Sequence, residues 1–395
     1  MPPEILAKAV ALSRWRTGLY FGDTAWLLIA LWVLLRMRAG PAVARAATRF
    51  SGRPWMQGLI AAPLWLLIIG LLEVPASVVG HHIGLRFGLS IERWPAWWMD
   101  WAKSTVLSLV IGTIVLEVLF AVIRGSPRRW WLWFWVFTLP AEAFMVFVAP
   151  VVIDPLFNRF QPLARTDPAL VDQLQRVAAR GGLHIPPNRI FLMDASRKVT
   201  GPNAYVTGLG ASKRIVVWDT TLTEESPGGI LFTYGHEQGH YVLHHILKGI
   251  AFSAPVILFF YWIFFRLARW LAGCRGTEWG IDAVGNWSSV GLLLLLATAL
   301  SFLSQPIANA FSRHIEHQAD VYGQEVIHGL VPDAQATAVR SFCRDGQLWL
   351  DDPSPSPFVE FWTYSHPSTE QRAEFAAHYD PWLPGRQPKY FRKSN

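Results

Sequence analysis

Two histidines four residues apart, with a glutamate directly after the first, are the residues of this sequence best suited to metal chemistry. His236, Glu237 and His240 form the pattern H-E-x-x-H. On a helix, both imidazoles project from one face and can bind a single zinc ion. The glutamate then lies within reach of a water molecule at the ion, where a carboxylate serves as a general base and not as a ligand. The pattern predicts a zinc-dependent hydrolase, and this prediction needs a third ligand.

The third ligand is expected downstream. His244 shares the helical face but lies two turns, about 12 Å, from His236, too far for all three histidines to hold one ion. If the stretch 312–320 is helical, Glu316 and Asp320 are an i,i+4 pair on one face. Glu316 would complete a His-His-Glu zinc site of the gluzincin type. Asp320 would accept a hydrogen bond from a ligand imidazole, or be an ordinary capping or solvated residue.

Other histidines near these motifs are expected to be ordinary surface or packing residues. They are His244, His245, His314 and His317.

The composition is too apolar for a soluble enzyme of this size. Of 395 residues, 52% are hydrophobic and 16% are charged, which is typical of a polytopic membrane protein. The net charge is +7, but the basic residues cluster beside apolar runs, where they flank a membrane. Since the sequence contains no recognisable DNA- or RNA-binding module, we expect no nucleic-acid partner.

Six apolar segments are close to the ~20 residues needed to cross a bilayer. They are Leu19–Leu35, Leu59–Val79, Val106–Ile123, Trp131–Ile153, Ile250–Ala272 and Val290–Phe311. The first segment also fits a signal peptide, although the arginines directly after it favour a span. Three spans contain a carboxylate, which either lies near an interface, pairs with a basic residue or faces a water-filled interior. These carboxylates are Glu73, Glu117 and Glu142.

Between the spans lies a soluble-looking stretch that contains a helix and short β-type runs. Asp167 is a suitable N-cap for a helix that ends at Arg180. The β-type runs at Arg189–Met193, Ala204–Thr207 and Arg214–Trp218 predict a small sheet that packs on the zinc helix. A substrate peptide could add to an exposed edge of this sheet as a further strand.

The predicted fold is a mainly α, polytopic membrane helical bundle with a small α+β zinc metalloprotease domain. We expect four parts in the chain. They are the N-terminal membrane region 1–153 with four spans, the α/β part 154–248 with the edge strand and the H-E-x-x-H helix, the two further spans 249–312, and the third-ligand helix with the C-terminal soluble part 313–395.

Several spaced motifs, taken together, resemble the CAAX prenyl protease type 1 family of integral-membrane gluzincins, from about residue 15 to residue 376. Besides the zinc motif, the similar elements are the segment 154–163 (P-L-F-N-R-F-Q-P-L after Asp154), Asn203-Ala204-Tyr205, the residues Pro306, Asn309 and Arg313 before Glu316, and His366-Pro367-Ser368 with Arg372. One departure is Gln238, since an aliphatic residue is common at this position of the family.

The resemblance implies a role for each matched residue. His236, His240 and Glu316 would hold one zinc ion per chain, and Glu237 would activate the water. Asn203 and His366 would lie near the substrate and stabilise the oxyanion, with Ala204 and Tyr205 also at the substrate edge. The resemblance further implies a chamber enclosed by the spans. From the residues alone, Asn203 equally fits a plain turn and His366 a loop histidine.

The sequence thus predicts a zinc-dependent membrane endopeptidase. Its expected partners are the lipid bilayer and a peptide or protein substrate, either a prenylated CAAX-type C-terminus or another membrane-associated peptide. A broad quality-control metalloprotease and a non-enzymatic, zinc-braced scaffold remain as alternatives. We expect a multi-pass protein of the inner or plasma membrane in a bacterium, or of an endoplasmic-reticulum type membrane in a eukaryote.

Overall fold

The computed structural model describes residues 1–208 and 213–391, apart from the side chain of Phe147. The helices are α1 (Pro3–Arg36), α2 (Ala39–Phe50), α3 (Pro54–Arg86), α4 (Trp94–Gly125), α5 (Trp130–Val148), α6 (Asp154–Phe157), α7 (Pro168–Arg180), α8 (Asp219–Glu224), α9 (Pro227–Val242), α10 (His245–Trp279), α11 (Val290–Val326), α12 (Ala334–Leu348), α13 (Pro357–Thr363) and α14 (Thr369–His378). The strands are β1 (Phe160–Pro162), β2 (Ile190–Met193), β3 (Ala204–Thr207) and β4 (Arg214–Trp218).

Helices long and apolar enough to cross a membrane dominate the structure. Five of them, α1, α3, α4, α10 and α11, meet this criterion by length and composition within the described residues. A sixth candidate span is α5 together with the segment Ala149–Phe157, which is bent by 46°. The prediction of a mainly helical, polytopic membrane protein is confirmed.

The fourth predicted span is not one straight helix. After α5, the chain makes a π-helical turn at Ala149–Ile153, whose second residue is Pro150. Proline has no N–H to continue the helical hydrogen bonds and its ring clashes with the preceding turn, so the helix bends there.

The long helices expose large apolar side chains, while at least one of their carboxylates is directed inwards. Trp32, Val110 and Trp270 are exposed, as expected of side chains that face lipid. Inside, Phe120 stacks on Trp287, and a buried oxygen of Glu117 has no hydrogen-bond partner among the described residues.

The sheet has the strand order β1-β2-β4-β3, in which β2 and β4 are parallel and the outer pairs are antiparallel. The predicted helix α7 lies between β1 and β2 in the chain, and Asp167 caps this helix by accepting a hydrogen bond from the Leu170 N–H at 2.8 Å. Strand β1 was not expected, because three residues ending in Pro162 carry little β-type pattern. Strand β3 lies at an edge of the sheet, beside α9.

Helices α9 and α11 approach each other very closely because glycines line their contact. A Cβ atom on Gly323 would lie 2.9 Å from the His236 backbone nitrogen, and one on Gly239 would lie 3.0 Å from the Tyr322 Cβ. Any larger residue at these positions would force the helices apart.

Helices α10 and α11 extend from the membrane region into the soluble part. The predicted boundaries at 248/249 and 312/313 fall inside α10 and α11, so these helices belong to both regions. The division into four parts stays a prediction, and residues 209–212 and 392–395 of it lie outside the described residues.

Gln238 has a structural role in this arrangement. Its side chain is fully buried and its Nε2 donates a hydrogen bond to the Ala178 carbonyl at 3.1 Å. The amide therefore ties α9 to the end of α7, where a Cβ on Gly181 would collide with it. An aliphatic residue could not make this hydrogen bond. The contact with Ala178 therefore accounts for the glutamine at this position, where the family pattern has an aliphatic residue.

Glu325 anchors the C-terminal segment to α11. This fully buried carboxylate accepts hydrogen bonds from the Tyr379 hydroxyl and from the backbone N–H groups of Lys389, Tyr390 and Phe391. Four donors can compensate the cost of burying one carboxylate.

Replacing Glu325 by Ala should destabilise the protein by about 2–4 kcal/mol, because three backbone N–H groups would lose their acceptor. The matched control Tyr379→Phe removes one of the four donors and should cost about 1 kcal/mol. Thermal unfolding of both variants in detergent tests the difference. Equal melting temperatures for Glu325→Ala and the wild type would contradict the anchoring role.

Candidate metal centre

Three ligand-type side chains meet where α9 crosses α11. The Nε2 atoms of His236 and His240 are 3.2 Å apart. Glu316 Oε2 lies 3.1 Å from the former and 3.4 Å from the latter. The helical spacing of four residues places both imidazoles on one face of α9, and the close crossing brings Glu316 to that face. The structure therefore brings together the three residues predicted as ligands.

The geometry of these atoms fits a metal ion. Zinc binds nitrogen and carboxylate oxygen at about 2.0–2.1 Å, so the corners of its tetrahedron are about 3.3 Å apart. The observed separations of 3.1 to 3.4 Å match this value. Glu316 Oε2 is also buried, and no donor among the described residues is aligned on it. A buried carboxylate oxygen that faces three ring nitrogens, those of His236, His240 and His366, is costly without a cation beside it.

Asp320 and Arg372 support His236 from behind. Asp320 Oδ1 lies 2.8 Å from His236 Nδ1. Both Asp320 oxygens accept hydrogen bonds from Arg372, at 2.9 Å from Nε and 2.6 Å from Nη2. This two-point contact holds the carboxylate in one orientation, which in turn orients the imidazole. The helical spacing predicted the Asp320 contact, but no sequence pattern indicated a partner for Arg372, which lies 52 residues further along the chain.

Glu237 lies on a cavity of about 570 Å³ beside the ligands. His236, Asn203 and His366 line the same cavity. Burial raises the pKa of the Glu237 carboxyl. A carboxylate with a raised pKa, placed at the mouth of a metal site, is suited to accept and return a proton.

The backbone of Asn203 is held by Thr221. The Asn203 N–H donates to the Thr221 hydroxyl at 2.9 Å, and the hydroxyl donates back to the Asn203 carbonyl at 2.6 Å. Both hydrogen bonds join Asn203, which lies directly before β3, to a residue 18 positions later in the chain, and Asn203 also lines the cavity.

Ala204 and Tyr205 lie elsewhere. Ala204 is buried in the core, and the Tyr205 hydroxyl donates to Asp154 at 3.4 Å. The structure does not bring these two side chains to the cavity, so any contact with a substrate would involve the backbone of β3.

His366 faces the ligands from a loop that α11 holds. The Asn309 amide donates to the Trp362 carbonyl at 2.7 Å, and the Arg313 guanidinium donates to the Tyr364 carbonyl at 2.6 Å. His366 Nε2 then lies 3.1 Å from Glu316 Oε2, with the side chain half exposed to the cavity. The loop that presents His366 is thus fixed by Asn309 and Arg313, which precede Glu316 in the sequence motif.

Two carboxyls in the cavity wall have raised pKa values. Burial, followed by the nearby Asp345 carboxyl, raises the pKa of Glu225 to about 8. Burial also raises the pKa of Asp345. Both shifts favour the protonated forms, so the wall carries less negative charge near neutral pH than its composition indicates.

His245, which was expected to be an ordinary surface or packing residue, lies directly beside a predicted ligand. It is 3% exposed, and its Nδ1 lies 3.0 Å from Nδ1 of His240. It follows a break between two helices, where no periodic pattern applies, so a single sequence gives no signal for this contact.

Comparisons with known proteins give two family matches. Residues 164–380 match the model of peptidase family M48, and residues 1–159 match that of the CAAX prenyl protease N-terminal region, with five membrane helices.

Individual relatives and one solved structure agree with these matches. The uncharacterized metalloprotease YhfN of Bacillus subtilis (strain 168) is 33% identical over 310 residues, which are 78% of this chain and 71% of that protein. CAAX prenyl protease 1 of Saccharomyces cerevisiae is 27% identical over 76% of this chain and 68% of its own length. The crystal structure of S. mikatae Ste24p has the same fold, with a TM-score of 0.79, 24% identity, and coverage of 95% of this chain and 89% of that one.

Gly323→Ala should weaken metal binding, by about tenfold or more, because its Cβ would push α11 away from the backbone of His236. The dissociation constant for zinc, measured against a chelator in detergent, tests this. Gly249→Ala is the matched control, since its Cβ would have nothing within 4 Å. Unchanged zinc affinity in Gly323→Ala would show that the close crossing is not required for the site.

Proposed function

The chain belongs to peptidase family M48, and on this basis we propose that His236, His240 and Glu316 hold one zinc ion at which Glu237 promotes peptide-bond hydrolysis. The family and the membrane helices make the protein a membrane metalloprotease. The observation that carries the assignment of residues is the convergence of three ligand atoms at 3.1 to 3.4 Å beside a cavity that Glu237 lines.

Each residue then has a defined task. A bound zinc ion would supply Lewis-acid polarisation of the scissile carbonyl and a lowered pKa for the attacking water. Glu237 takes a proton from this water as it attacks the carbonyl carbon, and later returns the proton to the nitrogen of the leaving amine. Asp320 keeps the His236 imidazole oriented throughout, since Arg372 restrains its carboxylate.

The substrate backbone is proposed to lie along β3. This strand is at an edge of the sheet and runs beside α9. An extended peptide could pair with its free N–H and C=O groups and so pass the metal centre in a fixed register. Main-chain pairing would make the site tolerant of many side chains, with Ala204 and Tyr205 contributing backbone groups.

Asn203 and His366 are proposed to stabilise the oxyanion. Both line the cavity that contains Glu237, and His366 Nε2 already lies 3.1 Å from a ligand atom. A donor in such a position favours the transition state, where negative charge develops on the carbonyl oxygen.

For the substrate we propose a prenylated CAAX-type C-terminus, because the relatives named above include CAAX prenyl protease 1 of Saccharomyces cerevisiae. The alternative within the same chemistry is a broad quality-control protease that cleaves unmodified membrane-associated peptides. The large apolar surface of the membrane helices suits either a prenyl chain or an apolar peptide, so the substrate must be decided by cleavage.

Glu237→Gln should retain zinc and the fold but lose about 10²–10⁴-fold in kcat, because the amide cannot accept the proton of the attacking water. The assay is cleavage of a farnesylated CAAX peptide by the detergent-purified protein at one zinc per chain. Normal cleavage by the variant would disprove the mechanism.

An unmodified peptide of the same sequence is the control for substrate choice in this assay. Cleavage of the farnesylated peptide alone supports CAAX processing, whereas equal cleavage of both peptides supports the quality-control alternative.

His366→Phe should lower kcat by about 10²–10³-fold with little change in KM, because a donor to the oxyanion is lost. Zinc content, measured on the same sample, should stay at one per chain. His366→Gln, which keeps an N–H donor, should recover part of the rate. If His366→Phe loses the metal, the residue is a ligand and the oxyanion role is wrong.

A further inference from the structure

The two histidine ligands differ in what contacts their second ring nitrogen. Nδ1 of His236 faces the Asp320 carboxylate at 2.8 Å. Nδ1 of His240 instead faces Nδ1 of another histidine, His245, at 3.0 Å. The ring planes of this second pair are inclined by 77°, with their centroids 4.9 Å apart. The contact is thus an edge-on approach of two nitrogens and not a stacked pair.

A helix break brings His245 back towards His240. Helix α9 ends at Val242, and His244 adopts a left-handed conformation with φ of 56° before α10 begins. This single residue turns the chain, so the first side chain of α10 points to the last turn of α9. His245 is 3% exposed as a result, and a buried imidazole requires partners for both nitrogens.

The second nitrogen of His245 contacts α11. Its Nε2 lies 3.2 Å from Gln318 Oε1, and Gln318 Nε2 lies 2.8 Å from Nε2 of His314. His314 is exposed. A hydrogen-bonded chain therefore extends from the ligand His240 through two further side chains to the surface. Gln318 lies two residues after the proposed ligand Glu316, so the chain returns to the helix that supplies the third ligand.

The chemistry of the amide fixes the direction of this chain. A carbonyl oxygen only accepts, so His245 Nε2 must donate to Gln318. A neutral His245 then has a lone pair on Nδ1 and accepts from the Nδ1–H of His240. The neutral His240 is left with a lone pair on Nε2, the nitrogen that lies 3.4 Å from Glu316.

The opposite direction is incompatible with metal binding at this atom. An amide N–H that faced His245 Nε2 would move the His245 proton to Nδ1. That proton would then point at His240 Nδ1, so the His240 proton would have to reside on Nε2. A protonated Nε2 has no lone pair for a metal.

We propose that His245 is a positioning residue for metal binding, which holds His240 in the tautomer and orientation that present Nε2, with Gln318 setting the direction of the hydrogen bond. This inference rests on the proposed function, since it presupposes a metal at His240. Asp320 and His245 then each orient one histidine ligand. Asp320, a carboxylate held by Arg372, orients His236. His245, a neutral imidazole held by the Gln318 amide, orients His240.

The first test replaces His245 by residues that differ in one property. His245→Phe fills the same space but cannot accept a hydrogen bond, whereas the Oδ1 of Asn in His245→Asn can take the place of Nδ1. We expect His245→Phe to bind zinc about 10–100-fold more weakly than the wild type, and His245→Asn to recover most of the affinity. The probe is zinc alone, titrated against a chelator in the detergent-purified full chain.

Two controls separate positioning from folding. The melting temperature of each metal-free variant is measured, because a merely structural role would lower it in parallel with the zinc affinity. His328→Phe is the matched substitution, since His328 stacks on Trp382 and takes no part in the chain. It should leave the zinc affinity unchanged.

Substitution of Gln318, which is only partly buried, tests the hydrogen-bonded chain independently of His245. Gln318→Glu keeps an acceptor for His245 Nε2 and should bind zinc about as tightly as the wild type. Gln318→Leu removes this acceptor and should weaken binding about threefold to tenfold, since the direction of the chain is no longer set.

The outcomes distinguish this inference from the proposed function. If the wild type binds no zinc, both are overturned. If it binds zinc and His245→Phe binds equally well, only the positioning role of His245 is overturned. The same holds if His245→Asn is as weak as His245→Phe while their metal-free melting temperatures equal that of the wild type.

Discussion

The close approach of α9 and α11 is the constraint on which the rest of this structure depends. Glycines at the contact remove the side chains that would otherwise hold the two helices further apart, and a Cβ atom at Gly323 would already lie 2.9 Å from the backbone of His236. At this spacing a short carboxylate side chain on α11 can reach the imidazoles on α9. A wider crossing would leave Glu316 and Asp320 as ordinary helix-face acids, and the histidines without a third ligand.

The same helices connect the metal centre to the membrane part. Helix α11 runs without interruption from an apolar segment through Glu316 and Asp320 to Glu325, and α10 begins at His245 and continues as a candidate span. Both the third ligand and the residue that contacts His240 are therefore attached to membrane helices. The helices that carry these groups thus extend into the bundle, where Phe120 stacks on Trp287 directly before α11.

The C-terminal part acts on the centre through three polar attachments. Arg372 restrains Asp320, the carbonyls of the 357–366 region accept from Asn309 and Arg313, and Glu325 holds the segment around residues 389–391. Each attachment pairs a buried polar group on α11 with a group far along the chain. These polar groups would raise the free energy of the folded protein if they were left unpaired. They therefore favour one position of the C-terminal part, and with it one position of His366.

The sequence by itself determined the features that depend on local spacing. These features are the four-residue separation of His236 and His240, the apolar lengths of the spans, and the cap of α7 at Asp167. Each depends only on residues that lie close together in the chain, so the sequence alone predicts it. The small sheet was foreseen in three of its strands, because the alternating β-type runs are equally local.

Only the tertiary structure decided which distant residues meet. The pairing of strand β1 with β2 and the contact of Arg372 with Asp320 have no local pattern, since each joins elements tens of residues apart in the chain. The contact of His245 with His240 spans only five residues, but it depends on the left-handed turn at His244, which no periodic pattern indicates. The bend after α5 does have a local cause in Pro150, although the apolar length of the segment alone does not indicate it. Packing also decides the positions of Ala204 and Tyr205, whose side chains turn into the core and towards Asp154 because the register of β3 on β4 fixes which face they occupy. The ligand types and the pair Glu316 and Asp320 follow from short-range spacing, whereas the contacts of Arg372 and His245 follow from the packing of α14 and α10 against the helices of the metal centre, which a linear pattern does not encode.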